Sequence, residues 1–161
     1  MKSLVCADAN IAIKRLVYEP DSVLARALWA EWETQSAIVI APTLWAYEVT
    51  SVLRKLVHQG RLSPELEQST LTTAYHLPVS LRRPSGLHQH ASNLARRFNR
   101  PTAYDAHYLA LAEMVGCPFW TSDERLFNAV HDELPWVHWL GHYRKPEVLH
   151  EKQANYRAGR R

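Results

Sequence analysis

The sequence predicts an α/β fold: one domain built on a central, mostly parallel sheet with helices on both faces. Short, largely uncharged runs alternate with longer stretches of helical periodicity, the pattern of strands joined by crossover helices. The strand candidates are near-continuously apolar instead of alternating, as strands buried on both faces are. A chain of 161 residues is long enough for one substantial core and too short for two.

Residues 2–7 read as the first strand, and Asp8-Ala-Asn10 follows where it should end, which places Asp8 at a carboxyl edge. A brief helical segment covers 11–17. Glu19-Pro-Asp-Ser22 then opens a second helix through Val23, Leu24, Ala27 and Leu28 toward Trp32. Ala37-Ile-Val-Ile-Ala41 is the clearest strand, β-branched and free of charge. Pro42-Thr43 starts a third helix with Trp45, Val49, Val52, Leu53 and Leu56 on one stripe and Gly60 as its stop. Glu48 lies on or beside that stripe, where a carboxylate needs a cation, a metal or a proton.

Ser63-Pro-Glu65 caps a more polar helix, and 78–81 is a short third strand. After the turn at 82–86, Leu87, Ala91, Leu94, Ala95 and Phe98 repeat at helical spacing. His88 and His90 face different sides of that helix, which argues against a shared metal and for solvent-facing rings. Pro101-Thr102 starts the next helix, Leu109 and Leu111 with Tyr104, Tyr108 and Val115 supply its apolar pattern, and Gly116-Cys-Pro118 ends it. Asp105 sits in its first turn, where Thr102-x-x-Asp105 also fits a capping box. Residues 118–122 form a fourth strand candidate with Asp123 just past its end, a position that also suits a helix cap. Residues 134–140 make a final strand, with Pro135 marking it as an edge. The domain is thus expected over 1–143, followed by a basic, flexible C-terminal tail over 144–161.

Composition narrows the function classes. Cys6 and Cys117 stand in separate apolar runs and match no metal-ligand spacing, so they read as buried free thiols in a reducing compartment. No leader-type or spanning apolar run is present, so the expectation is a soluble, cytoplasmic protein without a membrane partner. The net charge of +3 belongs to the tail: residues 1–143 hold thirteen basic and fourteen acidic side chains. Global basicity therefore says little about what the fold itself binds.

Four acids arrive at comparable places. In parallel α/β sheets, ligands bind beyond the carboxyl ends of the strands. Asp8 and Asp123 belong there directly, while Glu48 and Asp105 enter from early turns of helices. The chain has only five Asp, and three occupy these positions. Gathered carboxylates raise one another's pKa unless a cation holds them, and an all-oxygen set suits Mg²⁺ or Mn²⁺. Such an ion lowers the pKa of water and stabilises charge on a phosphoryl oxygen; a second would serve the leaving oxygen. The implied chemistry is phosphodiester hydrolysis, with Asp8, Glu48, Asp105 and Asp123 as catalytic metal ligands. Asn10 and Thr121 stand close enough to either strand end to support them. Lys55, Arg61, Arg82, Arg83, Arg96, Arg97 and Arg100 are candidates for holding a polyanion.

The segments Val5-Cys-Ala-Asp8-Ala-Asn10, Leu44-Trp-Ala-Tyr-Glu48-Val, Thr102-Ala-Tyr-Asp105-Ala-His-Tyr-Leu-Ala-Leu-Ala-Glu113 and Trp120-Thr-Ser-Asp123-Glu-Arg-Leu126 resemble the four acidic motifs of PIN-domain nucleases. Their order and local sequence are similar to the VapC toxins of toxin-antitoxin modules. The resemblance implies a PIN-like fold and a metal-dependent endoribonuclease. It also implies a homodimer and a VapB-type antitoxin that inserts a segment at the acidic site. Two other readings stand beside it. One is a non-catalytic module whose acidic pocket receives a basic peptide. The other is an Asp-nucleophile phosphatase, which calls for a second Asp where this chain has Asn10.

Overall fold

The computed structural model describes residues 2–145, so nearly all of the expected tail lies outside the described residues. Five strands form one wholly parallel sheet: β1 (Leu4–Ala7), β2 (Ile38–Pro42), β3 (Val79–Arg82), β4 (Phe119–Thr121) and β5 (Val137–Trp139). Their order is β3-β2-β1-β4-β5. Two crossovers carry the chain outward from β1, the first through α1 (Ala9–Leu16) and α2 (Ser22–Thr34) to β2. The second runs through α3 (Leu44–His58) and α4 (Pro64–Tyr75) to β3. The chain then returns through α5 (Leu87–Arg97) and α6 (Tyr104–Val115) to β4, on the other side of β1, and α7 (Glu124–Val130) leads to β5. The strand order therefore reverses between β1 and β4, and a crevice opens at that switch beyond the strand ends.

Helices cover both faces. Phe119 of β4 stacks on Tyr108 of α6 with ring centroids 5.8 Å apart. The next side chain in the strand, Trp120, must point the other way. It meets Tyr143, whose hydroxyl donates to Glu31 of α2. α6 is apolar on nearly every side, with Ala106 and the run from Tyr108 to Ala112 buried. A helix of that kind belongs in the core rather than on a surface. It crosses β1, β2 and β4, and its small Ala110 and Ala112 let it lie close to the sheet. Gly116 ends it with φ +73, a left-handed conformation that lets its N–H reach the Ala112 carbonyl.

Most expected elements appear within a residue or two of their predicted limits, and the departures have local causes. α6 begins at Tyr104 with Ala103 at its cap and no side-chain cap bond, so the Thr102-x-x-Asp105 box does not form. Asp105 is thereby left to other partners. Val52 lies outside the buried stripe of α3, at 37 % exposure, on the side that faces the crevice. His88 and His90 do not simply face solvent. His88 Nδ1 lies 2.9 Å from His107 Nε2, and His90 Nε2 lies 2.5 Å from Glu113, tying α5 to α6. The final strand is only three residues long, because Leu140–His142 turns into a 3₁₀ helix at the sheet edge.

Candidate active site

The crevice is a cavity of about 500 Å³ whose walls include Asp8, Glu48, Asp105 and Asp123. Four separated segments deliver them. Asp8 follows β1 and caps α1, its Oδ1 accepting from the Asn10 N–H. Asp123 follows β4 and caps α7, accepting from the N–H groups of Arg125 and Leu126 at 2.9 and 3.1 Å. Its expected capping role and its place in the cavity therefore coexist. Glu48 comes from the second turn of α3 and Asp105 from the first turn of α6.

Electrostatics bind the set together. Asp8 is 7 % exposed, and burial together with the Glu48 carboxylate pushes its pKa up to about 7. Burial also raises Glu48, with Asp105 adding to the shift and the Tyr108 hydroxyl opposing it. Asp105 is raised by burial and by Asp123, against the nearby Arg100 guanidinium. Asp8, Glu48 and Asp105 thus each feel another acid of the set, which is the repulsion expected of carboxylates gathered without a cation.

The supporting shell is built from β4. Thr121, fully buried, donates to Asp8 Oδ2 at 2.8 Å and accepts from the Asp123 N–H at 3.0 Å. Asn10 donates to the same hydroxyl at 3.3 Å, while its carbonyl oxygen accepts from the Ser122 N–H at 3.0 Å. Both residues singled out from the sequence thus join the two strand ends. Thr121→Val is expected to cost about 1–3 kcal/mol by removing a hydroxyl donor to a buried carboxylate. It should also raise the Asp8 pKa further, since the lost bond favoured the charged form. Urea unfolding of the metal-free variant at pH 8 checks the first effect, and an NMR titration of the Asp8 carboxyl the second.

Two participants, Tyr108 and Lys14, were not foreseen, and a third, Arg100, was foreseen in a different role. Tyr108, read only as part of an apolar helical pattern, is buried and donates its hydroxyl to Glu48 Oε2. Arg100 reaches Asp105 at 3.3 Å, acting as a counter-charge and not as an open phosphate contact. Lys14 lines the cavity with its ammonium held by Glu19 and Asp21 at 2.7 and 2.6 Å. A lysine followed by acids five and seven residues on was the available signal for that cluster. Of the other proposed cations, Arg61 pairs with Glu19 and Arg97 with Glu133.

The donor set fits a hard divalent ion, being all oxygen and clustered in one crevice. Among the described residues no three His, Cys, Asp or Glu side chains are arranged to hold an ion by themselves. Mg²⁺ and Mn²⁺ do not require such a cage, since they commonly take one or two carboxylates and keep water for the rest of the shell.

A wholly parallel sheet of this order with four acids converging at its switch point defines an α/β protein with an acidic, cation-ready crevice. The chain matches the PIN domain family model over residues 6–134 and belongs to that family. No curated protein matches it. PIN domains are generally nucleases and typically use divalent metal ions. Among the described residues no helix is long and apolar enough to cross a membrane.

Proposed function

We propose that this chain is a divalent-metal-dependent endoribonuclease, the toxin component of a VapBC-type toxin-antitoxin pair. The observation that carries the nuclease reading is the convergence of Asp8, Glu48, Asp105 and Asp123 on one cavity at the sheet's switch point. The toxin assignment is supported by the order and local sequence of the four acidic segments, above all Tyr104-Asp105-Ala106.

In this reading Asp8 and Asp105 are the principal ligands of Mg²⁺ or Mn²⁺, with Asp123 completing the set and Glu48 orienting water or ion. When bound, such an ion would supply an activated water and stabilise the charge developing on the phosphoryl oxygens. The protein fixes the geometry: Thr121 holds the Asp8 carboxylate and Tyr108 holds Glu48, so neither must be reorganised when substrate arrives. Arg100 neutralises Asp105 while no stronger cation is present. The same acidic cleft suits a cationic segment of a VapB-type antitoxin, and a homodimer is expected by the same similarity.

Cleavage of a single-stranded RNA tests the proposal. Wild type with Mg²⁺ or Mn²⁺ is expected to cut internally, and to stop with EDTA or on Asp105→Asn, the variant retaining its circular dichroism spectrum. A folded wild type that cuts no RNA with either metal would leave the acidic-pocket binding module as the better account.

A further inference from the structure

A second cavity of about 500 Å³ lies beside the acidic one and shares a wall with it at Ser51. It is lined by Ala46, Tyr47, Thr50, Ser51, Arg54 and Tyr75, from α3 and the end of α4. Tyr47 immediately precedes Glu48 in the chain and is 74 % exposed, so its ring is free to meet a partner at the edge of the acidic crevice. Tyr75, half exposed, is fixed in place: its hydroxyl pairs with Thr50 Oγ1 at 2.6 Å and donates to the Ala46 carbonyl at 3.3 Å. One ring is therefore prearranged and the other is open to a partner. Arg54 reaches Glu67 at 3.1 Å, but its side chain is 64 % exposed. Glu67 is itself largely covered, so the guanidinium keeps that contact and offers its solvent-facing N–H groups to a phosphate.

We propose that this groove is a subsite for unpaired nucleotides adjoining the scissile phosphate, with Tyr47 and Tyr75 stacking bases and Arg54 and Ser51 meeting the backbone. The inference rests on the nuclease reading given above and extends it to the conformation of the substrate. Aromatic faces alternating with a cation along a groove are how proteins hold single-stranded nucleic acid, because every base offers a π-face for stacking. A base paired within a duplex has no free face to offer, so the groove selects single strands. Continuity at Ser51 gives the direction: a strand leaving the carboxylates along α3 enters the groove at once.

The test uses the full chain in EDTA, where binding is separated from cutting. A fluorescein-labelled single-stranded 12-mer oligoribonucleotide and its duplex are titrated and followed by anisotropy. Tyr47→Ala is expected to weaken single-strand binding about 5- to 100-fold, the range set by loss of one stacked base. Tyr47→Trp should retain or strengthen binding. The duplex should bind weakly and equally to all three proteins. Val23→Ala, at an exposed apolar position on α2, should bind as wild type does. Equal single-strand affinity for wild type, Tyr47→Ala and Tyr47→Trp, in a protein that still cleaves RNA with Mn²⁺, would overturn the subsite and leave the nuclease reading standing. Wild type that neither binds nor cleaves RNA would overturn both. Unchanged RNA affinity with Tyr47-dependent self-association in sedimentation would assign the groove to a second copy of the chain, against the proposal.

Discussion

Asp8→Asn is expected to abolish RNA cleavage, by about 10³-fold or more, while making the metal-free protein more stable at neutral and alkaline pH. Both effects come from the same buried carboxylate. Its ordinary pKa of 3.8 is pushed up to about 7 by burial and by Glu48, more than the Thr121 hydroxyl can offset. An acid raised on folding binds its proton more tightly in the native than in the unfolded state between those two values. The unfolding free energy therefore falls as pH rises through that window, by a few kcal/mol for this one group. As far as Asp8 is concerned, metal-free wild type should be most stable below about pH 4, and should lose that increment progressively as pH rises to about 7 to 8.

Asparagine keeps the shape and can still accept from Thr121, but it carries no charge to desolvate. The variant's stability should lack the Asp8 contribution to the slope over the same window. Thermal melts in EDTA from pH 4.5 to 8, compared between the two proteins, measure the difference. Parallel pH profiles would show that Asp8 ionises in the native state no differently than in the unfolded chain. Added Mn²⁺ should stabilise wild type at pH 8 in a concentration-dependent way, and the variant much less, because binding to the native state alone raises its stability.

Phe119→Ala should destabilise the fold by about 3–5 kcal/mol, a large fraction of the roughly 5–15 kcal/mol that holds a domain of this size together. Phe119 is fully buried on β4 and pairs in register with Cys6 of the central strand. Its ring stacks on Tyr108, so its removal opens a void beneath the residue that holds Glu48. Chemical denaturation measures the stability loss. A second readout separates this from generic weakening. At a temperature where the variant remains folded, its RNA cleavage should still be depressed, because Tyr108 can then shift and release Glu48. A core substitution farther from the site, Leu134→Ala on the approach to β5, should lose stability without that residual loss of activity.

How much of this was legible in the letters differs from residue to residue. Asp8 and Asp123 could be placed because an acid directly after a short apolar run has few other positions to occupy in a parallel α/β sheet. Glu48 could be singled out because a carboxylate beside an apolar helical stripe conflicts with its surroundings. Asp105 was harder, since its spacing from Thr102 satisfied a local capping rule that the tertiary structure overrides by starting α6 at Tyr104.

Tyr108 was hidden for a different reason. Its ring satisfies the periodicity of a buried helix, and nothing in one dimension shows that its hydroxyl ends at Glu48, 60 residues away. The same applies to the pairs between His88 and His107 and between His90 and Glu113, which depend on how α5 and α6 lie side by side. Strand order also escaped the sequence reading. Alternation shows that the strands are parallel, but only the return of the chain past β1 places β4 beside it.

That return has a consequence in time. Asp8 and the Thr121 hydroxyl that holds it are 113 residues apart, and β4 inserts beside β1 only after it has been translated. At elongation speeds of about 5–20 residues per second, the interval between the two residues is roughly six to twenty-three seconds. Until β4 is made, β1 can pair with β2 but the far wall of the crevice, with Thr121 and Asp123, does not exist. The site is therefore completed only late in synthesis, and a chain stopped before β4 would carry Asp8, Glu48 and Asp105 without the strand that holds the first of them.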